Sequence, residues 1–309
     1  RRPVATARTA VRVLRLGRLH FVLAGLLLFS WGALLAVLAG AEAAWGRFAL
    51  GYLVLFPAHL SVSYSNDYFD AEADAYGTPT LFTGGSGILQ AEPALRPLAR
   101  AIALGLIGLS LVMGIVFAWR YGGGVGFVGL VLVGNLLGWF YAAPPLRLSY
   151  RGLGEAATAA MVGFLLPALG FLVMAGALEG PFLLVAPALL LYGASFIVAV
   201  QIPDVEADRL AGKNTLVGRR GRPWAFSALG LLPSLAAVYL LVAGWFLREV
   251  LALPLWPVGL LSVSVAVAGI VGAVRRPTQR TAATRLVNAF LIALVLFVLA
   301  ADAYWLLAL

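Results

Sequence analysis

Nine long apolar stretches constrain what this chain can fold into more than any other feature of its sequence. They cover residues 16–41, 44–65, 96–118, 122–142, 153–177, 181–202, 223–245, 251–273 and 283–308. A helix that crosses a bilayer needs about 20 apolar residues. The runs are continuous, whereas the strands of a membrane barrel alternate apolar and polar residues over segments of about ten. We therefore predict an all-α polytopic membrane protein with nine transmembrane helices, in which residues 1–309 form a single transmembrane domain.

The composition excludes several other classes of protein. Hydrophobic residues make up 62% of the chain and charged residues 11%, which leaves short loops and no separate soluble domain. The chain has no cysteine and only two histidines, so disulfides, thiol nucleophiles and a three-histidine zinc site are excluded. The net charge of +9 comes from basic residues dispersed among loops beside apolar stretches. We therefore expect a lipid bilayer and no nucleic acid as partner.

The basic residues predict the orientation in the membrane. In the nine-span arrangement, nineteen Lys and Arg residues fall on the side of the N-terminus, and only Arg47, Arg120 and Arg248 fall on the other. Cytoplasmic loops collect Lys and Arg. We therefore predict a cytoplasmic N-terminus, and we interpret the arginines at 1–12 and 275–285 as residues that only set the topology.

Seven of the thirteen acidic residues lie in two short clusters. The first acidic cluster, residues 66–74, reads Asn-Asp-Tyr-Phe-Asp-Ala-Glu-Ala-Asp, and the second acidic cluster, residues 204–208, reads Asp-Val-Glu-Ala-Asp. On a helix, Asn66, Asp70 and Asp74 would share one face, and Asp204 and Asp208 repeat the four-residue step. Each cluster follows the cytoplasmic end of a predicted span, so both can face the same compartment.

The two clusters also resemble each other in sequence. Asp-x-Glu-Ala-Asp occurs at 70–74 and 204–208, and each copy is followed by a glycine, at 77 and 212, and by Thr-Leu, at 80–81 and 215–216. We hypothesise two related halves, roughly 16–142 and 153–309. Such halves would bring the clusters together across a shared cavity.

The first acidic cluster needs positive charge from elsewhere. Two carboxylates on successive helical turns, about 6 Å apart, repel by roughly 3 kcal/mol at an effective dielectric near 20. No Lys or Arg occurs between residues 66 and 95. Oxygen ligands select a hard cation, and Mg²⁺ prefers one or two carboxylates together with substrate phosphates. We therefore predict a magnesium and phosphate site, although acids that merely mark the water interface remain the alternative.

Other segments near the clusters could contribute to such a site. The basic residues near them in the predicted topology are Arg18, Arg147, Arg151, Arg209 and Lys213, the last being the only lysine of the chain. The glycine-rich stretch 78–87 could cradle phosphate oxygens or act as a mobile lid. Pro203 predicts a break at the end of the sixth span.

The residues Asn66-Asp67-x-x-Asp70-x-x-x-Asp74 and Asp204-x-x-x-Asp208 resemble the two aspartate-rich motifs of the UbiA superfamily of intramembrane prenyltransferases. The segment 141–155 is similar to the one that follows the fourth span in the quinone and chlorophyll branches, and it leans toward the menaquinone type, which acts on a hydroxynaphthoate. The resemblance implies a nine-helix bundle in which two Mg²⁺ ions hold a polyprenyl diphosphate between the clusters. It also implies transfer of the prenyl group to a small aromatic acceptor, a quinone precursor.

The resemblance further implies a role for individual residues. The metal ligands would be Asn66, Asp70, Asp74, Asp204 and Asp208. The catalytic carboxylates would be those of Asp67, Asp70, Asp74, Asp204 and Asp208, and the substrate-binding residues would be Arg18, Asn66, Tyr141, Arg147, Arg151 and Lys213.

Two other functions stay open from the sequence. A terpene cyclase of the same superfamily would use no aromatic acceptor. The allylic carbocation would instead be captured intramolecularly, by the prenyl chain that carries it. A transporter would also have paired motifs in two halves, but both clusters lie at one face of the membrane rather than near its midplane. A carbocation needs a dry, aromatic pocket, for which the candidates are Tyr68, Phe69, Trp139, Phe140, Tyr141 and Tyr192.

Overall fold

The protein is a helical bundle, seen in a computed structural model that describes residues 2–246 and 255–309. The helices are α1 (Arg2–Leu16), α2 (Leu19–Leu38), α3 (Trp45–Asp70), α4 (Arg96–Tyr121), α5 (Gly124–Phe140), α6 (Gly154–Ala175), α7 (Gly180–Gln201), α8 (Val205–Leu210), α9 (Leu216–Arg220), α10 (Arg222–Phe246), α11 (Leu255–Arg275) and α12 (Arg280–Ala308). Short helical turns connect some of them, at Asp74–Tyr76, Ile88–Ala91, Pro93–Leu95 and Leu148–Tyr150. Arg1, Arg248 and residues 251–254 of the eighth predicted span lie outside the described residues.

Each of the nine predicted spans coincides with a helix of this bundle. Eight helices of the described ranges are long and apolar enough to cross a membrane. The remaining one, α5, is apolar but only 17 residues long, which is at the lower limit for a span. The polytopic helical architecture is therefore confirmed, while nine crossings and a cytoplasmic N-terminus stay predictions.

Glycines allow the helices around the interior to approach closely. A Cβ atom on Gly32 of α2 would lie 1.8 Å from the carbonyl oxygen of Pro167, and one on Gly170 of α6 would lie 1.9 Å from that of Phe29. Inside a membrane, no hydrophobic driving force brings helices together. Small residues at such crossings let the backbones approach closely, and van der Waals packing then holds the helices together. The contact therefore fixes the distance between α2 and α6, which form two walls of the interior.

The first acidic cluster departs from the predicted single helix. Helix α3 ends at Asp70, and the chain continues through a turn into a short 3₁₀ helix that begins at Asp74. Gly77 is extended and Pro79 follows it, so the helix cannot continue through this segment. The prediction that one helix carries Asn66, Asp70 and Asp74 was therefore wrong at Asp74.

The second acidic cluster has the predicted geometry. Helix α7 ends at Gln201, and α8 begins after Asp204, which confirms the break at Pro203. The N–H of Asp208 donates to the carbonyl of Asp204 at 2.8 Å, so the two aspartates lie one turn apart. Buried Arg222 fastens this bend, because its Nε donates to the Ile202 carbonyl at 2.9 Å and its two terminal nitrogens lie 2.5 Å from the carboxylate oxygens of Glu206.

Candidate active site

Both acidic clusters line one polar cavity of about 170 Å³ at one end of the bundle. Nine of the predicted site residues line it, namely Arg18, Asn66, Asp67, Asp70, Asp74, Tyr141, Asp204, Asp208 and Lys213. Arg147 and Arg151 do not line it, and both are exposed. The guanidinium of Arg147 instead lies over the ring of Tyr150, 3.8 Å from its centre.

An ion pair joins the first acidic cluster to the segment that follows the second. The Nζ of Lys213, which follows α8, lies 3.0 Å from Oδ2 of Asp70 at the end of α3. The hydroxyl of Tyr150 donates to the other oxygen of Asp70 at 2.8 Å. The side chains of Lys213 and Asp70 are only 13% and 8% exposed. Each oxygen of Asp70 therefore has one partner within the protein, and Lys213 has an anionic partner.

Asp67 faces the segment that covers the cavity. We call residues 77–87 the cover loop. The buried carboxylate of Asp67 accepts hydrogen bonds from both the backbone N–H and the hydroxyl of Ser86 in this loop. These contacts favour a positioning role for Asp67, which the sequence resemblance placed among the catalytic carboxylates.

The cover loop is also fastened to the second acidic cluster. The hydroxyl of Thr83 donates to Asp204 at 3.3 Å. Arg280 of α12 donates to the carbonyls of Thr78 and Pro203 at 2.8 and 2.9 Å, and its guanidinium lies 3.7 Å from Asp204. The interpretation of Arg280 as a residue that only sets topology was therefore wrong. Its partners lie 77 and 202 positions away in the chain, so no local motif could have indicated the contact.

Glycine is required in the cover loop at the point nearest to the carboxylates. Gly85 has a φ of +65°, and a Cβ atom there would lie 2.2 Å from Oδ2 of Asp74. A side chain would therefore be strained by its backbone and would also collide with the carboxylate. The glycine-rich sequence lets the loop pass directly over the acidic residues.

The carboxylates of the cavity are only partly compensated by positive charge. Burial raises the pKa of Asp74 and of Asp208 to about 7, an effect that the nearby ammonium of Lys213 only partly opposes. Burial also raises the pKa of Asp204, against the opposing effect of Arg280. The charged forms of these carboxylates are therefore disfavoured by burial, and a bound cation would stabilise them.

Two other groups in the cavity wall are unsatisfied. Oδ1 of Asn66 and one terminal nitrogen of Arg18 are buried and have no hydrogen-bond partner among the residues that the structure describes. Arg18 also has a left-handed backbone conformation, with a φ of 45°, which is uncommon for a residue other than glycine. A cation near Asn66 and an anion near Arg18 would satisfy both groups.

The donor set fits Mg²⁺ that binds together with an anionic ligand. Among the described residues, no three side chains of His, Cys, Asp or Glu are gathered closely enough to hold an ion unaided. Mg²⁺ commonly binds through one or two carboxylates and completes its coordination with water and substrate phosphate. The residues are therefore suited to a metal that arrives with a diphosphate.

A second, largely apolar cavity of about 640 Å³ adjoins the polar one. It lies among α2, α3, α5, α6, α7 and α12. Six residues line both cavities, namely Arg18, Asn66, Phe82, Tyr141, Ile197 and Val200. We call the place where these residues lie the junction. The combined shape suits a ligand with an anionic head and a long apolar chain.

Comparison with known proteins now decides the family. The model of the UbiA prenyltransferase family matches residues 25–295. This chain belongs to the UbiA prenyltransferase family. It is 25% identical over 181 residues to 1,4-dihydroxy-2-naphthoate octaprenyltransferase of Bacillus subtilis (strain 168), a match that covers 58% of this chain. The match spans just over half, 56%, of that relative's own length.

Solved structures share the UbiA fold with this chain. A UbiA homolog from Archaeoglobus fulgidus bound to DMAPP and Mg²⁺ superposes with a TM-score of 0.61 at 16% identity, over 94% of this chain and 99% of that one. The apo structure of a UbiA homolog from Aeropyrum pernix K1 superposes with a TM-score of 0.64 at 14% identity, over 90% of this chain and 96% of that one. At these identities the likeness shows the fold alone.

The aromatic residues of this UbiA family member differ from the sequence expectation. Of the six candidates for the carbocation pocket, Tyr141 and Tyr192 line a cavity, whereas Tyr68, Phe69, Trp139 and Phe140 line neither. The ring of Phe69 packs edge to face on that of Trp139 instead, with 5.1 Å between centres. Phe82 could not be predicted from the sequence, because its loop position gives no periodicity that would indicate burial.

Proposed function

We propose that this UbiA family member transfers a prenyl group from a polyprenyl diphosphate to a small aromatic acceptor within the membrane, with Mg²⁺ as its cofactor. One observation carries the proposal: a polar cavity walled by both acidic clusters adjoins a large apolar cavity and shares six lining residues with it. Relatives of the same fold are described as bound to DMAPP or GPP with Mg²⁺, which supports the donor. The octaprenyltransferase of Bacillus subtilis supports an acceptor of the hydroxynaphthoate class.

The donor's head would bind between the clusters. In this proposal the ligands of two Mg²⁺ ions, directly or through water, are Asn66, Asp70, Asp74, Asp204 and Asp208. Bound Mg²⁺ supplies positive charge that stabilises the diphosphate as a leaving group. The unpartnered guanidinium nitrogen of Arg18 and the ammonium of Lys213 contact the diphosphate oxygens. Arg147 and Arg151 have less support as substrate-binding residues, since neither lines the cavity.

The reacting carbon would lie at the junction. The bond between the allylic carbon and a diphosphate oxygen breaks, and the electron pair leaves with the diphosphate. Negative charge on the diphosphate grows toward the transition state, so Arg18 and Lys213 stabilise the transition state more than the ground state. The face of the Tyr141 ring attracts the positive carbon. A ring carbon of the acceptor then forms the new carbon–carbon bond and gives up a proton in its place.

Mass spectrometry of reactions with the purified protein tests the proposal. The protein would be incubated with Mg²⁺, with prenyl diphosphates of several lengths and with a panel of aromatic acceptors that includes 1,4-dihydroxy-2-naphthoate. We expect a prenylated aromatic product that disappears when EDTA replaces Mg²⁺. Cyclised hydrocarbon formed without any acceptor would instead identify a terpene cyclase, and the absence of any product would contradict both functions.

The active site faces the cytoplasm in this proposal. Support comes from the nineteen basic residues that the predicted topology places on the side of both acidic clusters. Soluble prenyl diphosphates and aromatic acids would then reach the polar cavity from the cytoplasm, while the prenyl chain remains in the apolar interior.

A further inference from the structure

Phe82 is the aromatic residue that the cover loop contributes to the junction. It lines both the polar and the apolar cavity. Its ring packs edge to face against Phe21 and His20 of α2, with 6.3 and 6.1 Å between ring centres. Phe21 in turn contacts Phe196 of α7 at 6.4 Å. Aromatic rings therefore extend from the cover loop along the wall of the apolar cavity to α7.

The site's own carboxylates hold Phe82 in this place. On one side of it, the hydroxyl of Thr83 donates to Asp204, and on the other the backbone N–H of Phe82 donates to the hydroxyl of Thr80 at 3.3 Å. Farther along the loop, Ser86 is bonded to Asp67. Both acidic clusters therefore anchor the loop, and the position of the Phe82 ring depends on an assembled site.

Phe82 packs on the apolar core on one side and adjoins polar groups of the cover loop and the polar cavity on the other. Thr78 and Arg280, which fasten the outer side of the loop, make exposed hydrogen bonds. The residues next to Phe82 along the cavity wall, Thr83 and Gly84, present a hydroxyl and backbone groups to the polar cavity. A gap at Phe82 would therefore have polar partners for water, and a polar, roomy gap is one that water occupies.

We propose that Phe82 shields the reacting allylic carbon from water and so directs it to the acceptor. The inference rests on the proposed function. When the bond from carbon to diphosphate oxygen has broken, the carbocation has two outcomes. Attack by a ring carbon gives the prenylated acceptor and a proton, whereas attack by water gives a prenyl alcohol and a proton. Phe82 acts on the ratio of these products.

The product ratio can be measured directly in ¹⁸O-labelled water. Wild type, Phe82→Ala, Phe82→Leu and the control Tyr76→Ala would be compared with geranyl diphosphate, Mg²⁺ and the acceptor found for the wild type. Tyr76 is a matched aromatic control because it lies just before the cover loop, is 59% exposed and lines neither cavity. Released diphosphate, prenylated acceptor and ¹⁸O-labelled prenyl alcohol are quantified together.

We expect Phe82→Ala to raise the ratio of labelled alcohol to prenylated acceptor by about tenfold at any rate of diphosphate release, the effect of about 1.4 kcal/mol on the competing barriers. Phe82→Leu, which keeps apolar bulk, should give an intermediate ratio and serves as the test if the alanine variant does not fold. A ratio in both Phe82 variants no higher than in Tyr76→Ala would overturn the proposal. Failure of the wild type to release diphosphate would contradict the proposed function itself.

Discussion

The ammonium of Lys213 lies 3.0 Å from the Asp70 carboxylate, so the only lysine of the chain is paired across the cavity with the opposite acidic cluster. Burial alone would lower the pKa of Lys213, but the carboxylates of Asp70, Asp208 and Asp74 outweigh burial and hold it above the ordinary value. The lysine is therefore charged at every pH at which the protein would be assayed. It is available as a fixed cation beside the diphosphate site.

This pairing predicts the chemical reactivity of Lys213. An amine-directed reagent attacks the neutral amine, so labelling should be slow in the wild type and faster in Asp70→Asn, which removes the nearest carboxylate. The N-terminal amine provides an internal reference, because no other lysine exists. Peptide mass spectrometry over a time course measures the rate. Equal labelling rates in the two proteins would contradict the ion pair.

Removal of the lysine should weaken ligand binding. Lys213→Ala deletes a charge-assisted contact, and we expect it to weaken binding of a non-hydrolysable prenyl diphosphate in Mg²⁺ by roughly 1.5–3 kcal/mol. Calorimetric titration measures the change. Arg209→Ala is a suitable control, since Arg209 is a basic residue of the same segment that bonds to the Gly218 carbonyl and does not line the cavity. Equal losses in both variants would indicate a general charge effect.

The carboxylates should differ in their effect on stability. Asp70→Asn breaks a buried ion pair, and such a loss lowers the free energy of unfolding by about 3–5 kcal/mol. The carboxylates of Asp74 and Asp208 near Lys213 should make the loss smaller. Asp208→Asn should leave the metal-free protein as stable as before or more stable at neutral pH, because burial raises the pKa of Asp208 and its charged form is disfavoured. Thermal unfolding in EDTA compares the two, and a lower Tm for Asp208→Asn than for Asp70→Asn would contradict this assignment.

Arg280 should support the donor site through the cover loop. Arg280→Ala removes the contacts to Thr78, Pro203 and Asp204, so we expect a rise of about tenfold or more in KM for the prenyl diphosphate, equivalent to about 1.4 kcal/mol. Arg276→Ala is the matched control. Arg276 is exposed, and the hydrogen bond that the structure describes for its guanidinium goes to the carbonyl of Ala273, three residues earlier in the chain. Steady-state kinetics would show the difference, and unchanged KM in Arg280→Ala would exclude its role.

Orientation can be tested in a chain that contains no cysteine. A cysteine introduced at Glu179, before α7, should react with a membrane-impermeant reagent only from outside the cell. A cysteine at exposed Gln279, before α12, should react only after the cytoplasmic side is opened. Labelling of Glu179→Cys from the cytoplasmic side alone would reverse the predicted topology.

The helices of this fold could be predicted from sequence because the length and apolar content of a stretch are local properties, and they indicate a membrane-spanning helix without knowledge of its neighbours. The break at Pro203 has the same local origin, since a proline restricts the backbone conformation of its own residue and of the preceding one. Asp74 shows the limit of local inference, because the four-residue spacing is compatible with a helix that in fact ends at Asp70.

The partners of the site residues could not be predicted in this way. The bonds from Arg280 to Thr78 and from Tyr150 to Asp70 join segments that are distant in the chain, and helix packing alone brings them together. Both acidic clusters were correctly expected at one cavity, because each follows the same end of its span. The unequal roles of Asp67, tied to Ser86, and Asp70, tied to Lys213, emerge only when those neighbours are in place.

In the proposed function, the two acidic clusters hold a diphosphate jointly with Mg²⁺. Calorimetric titration of a non-hydrolysable geranyl diphosphate analogue into wild type, Asp74→Asn and Asp208→Asn, each with Mg²⁺ and with EDTA, measures this joint binding. We predict that Mg²⁺ tightens binding to the wild type by at least about tenfold, or 1.4 kcal/mol, and that either substitution abolishes this gain. A gain of wild-type size that persists in either variant would contradict joint binding by the two clusters.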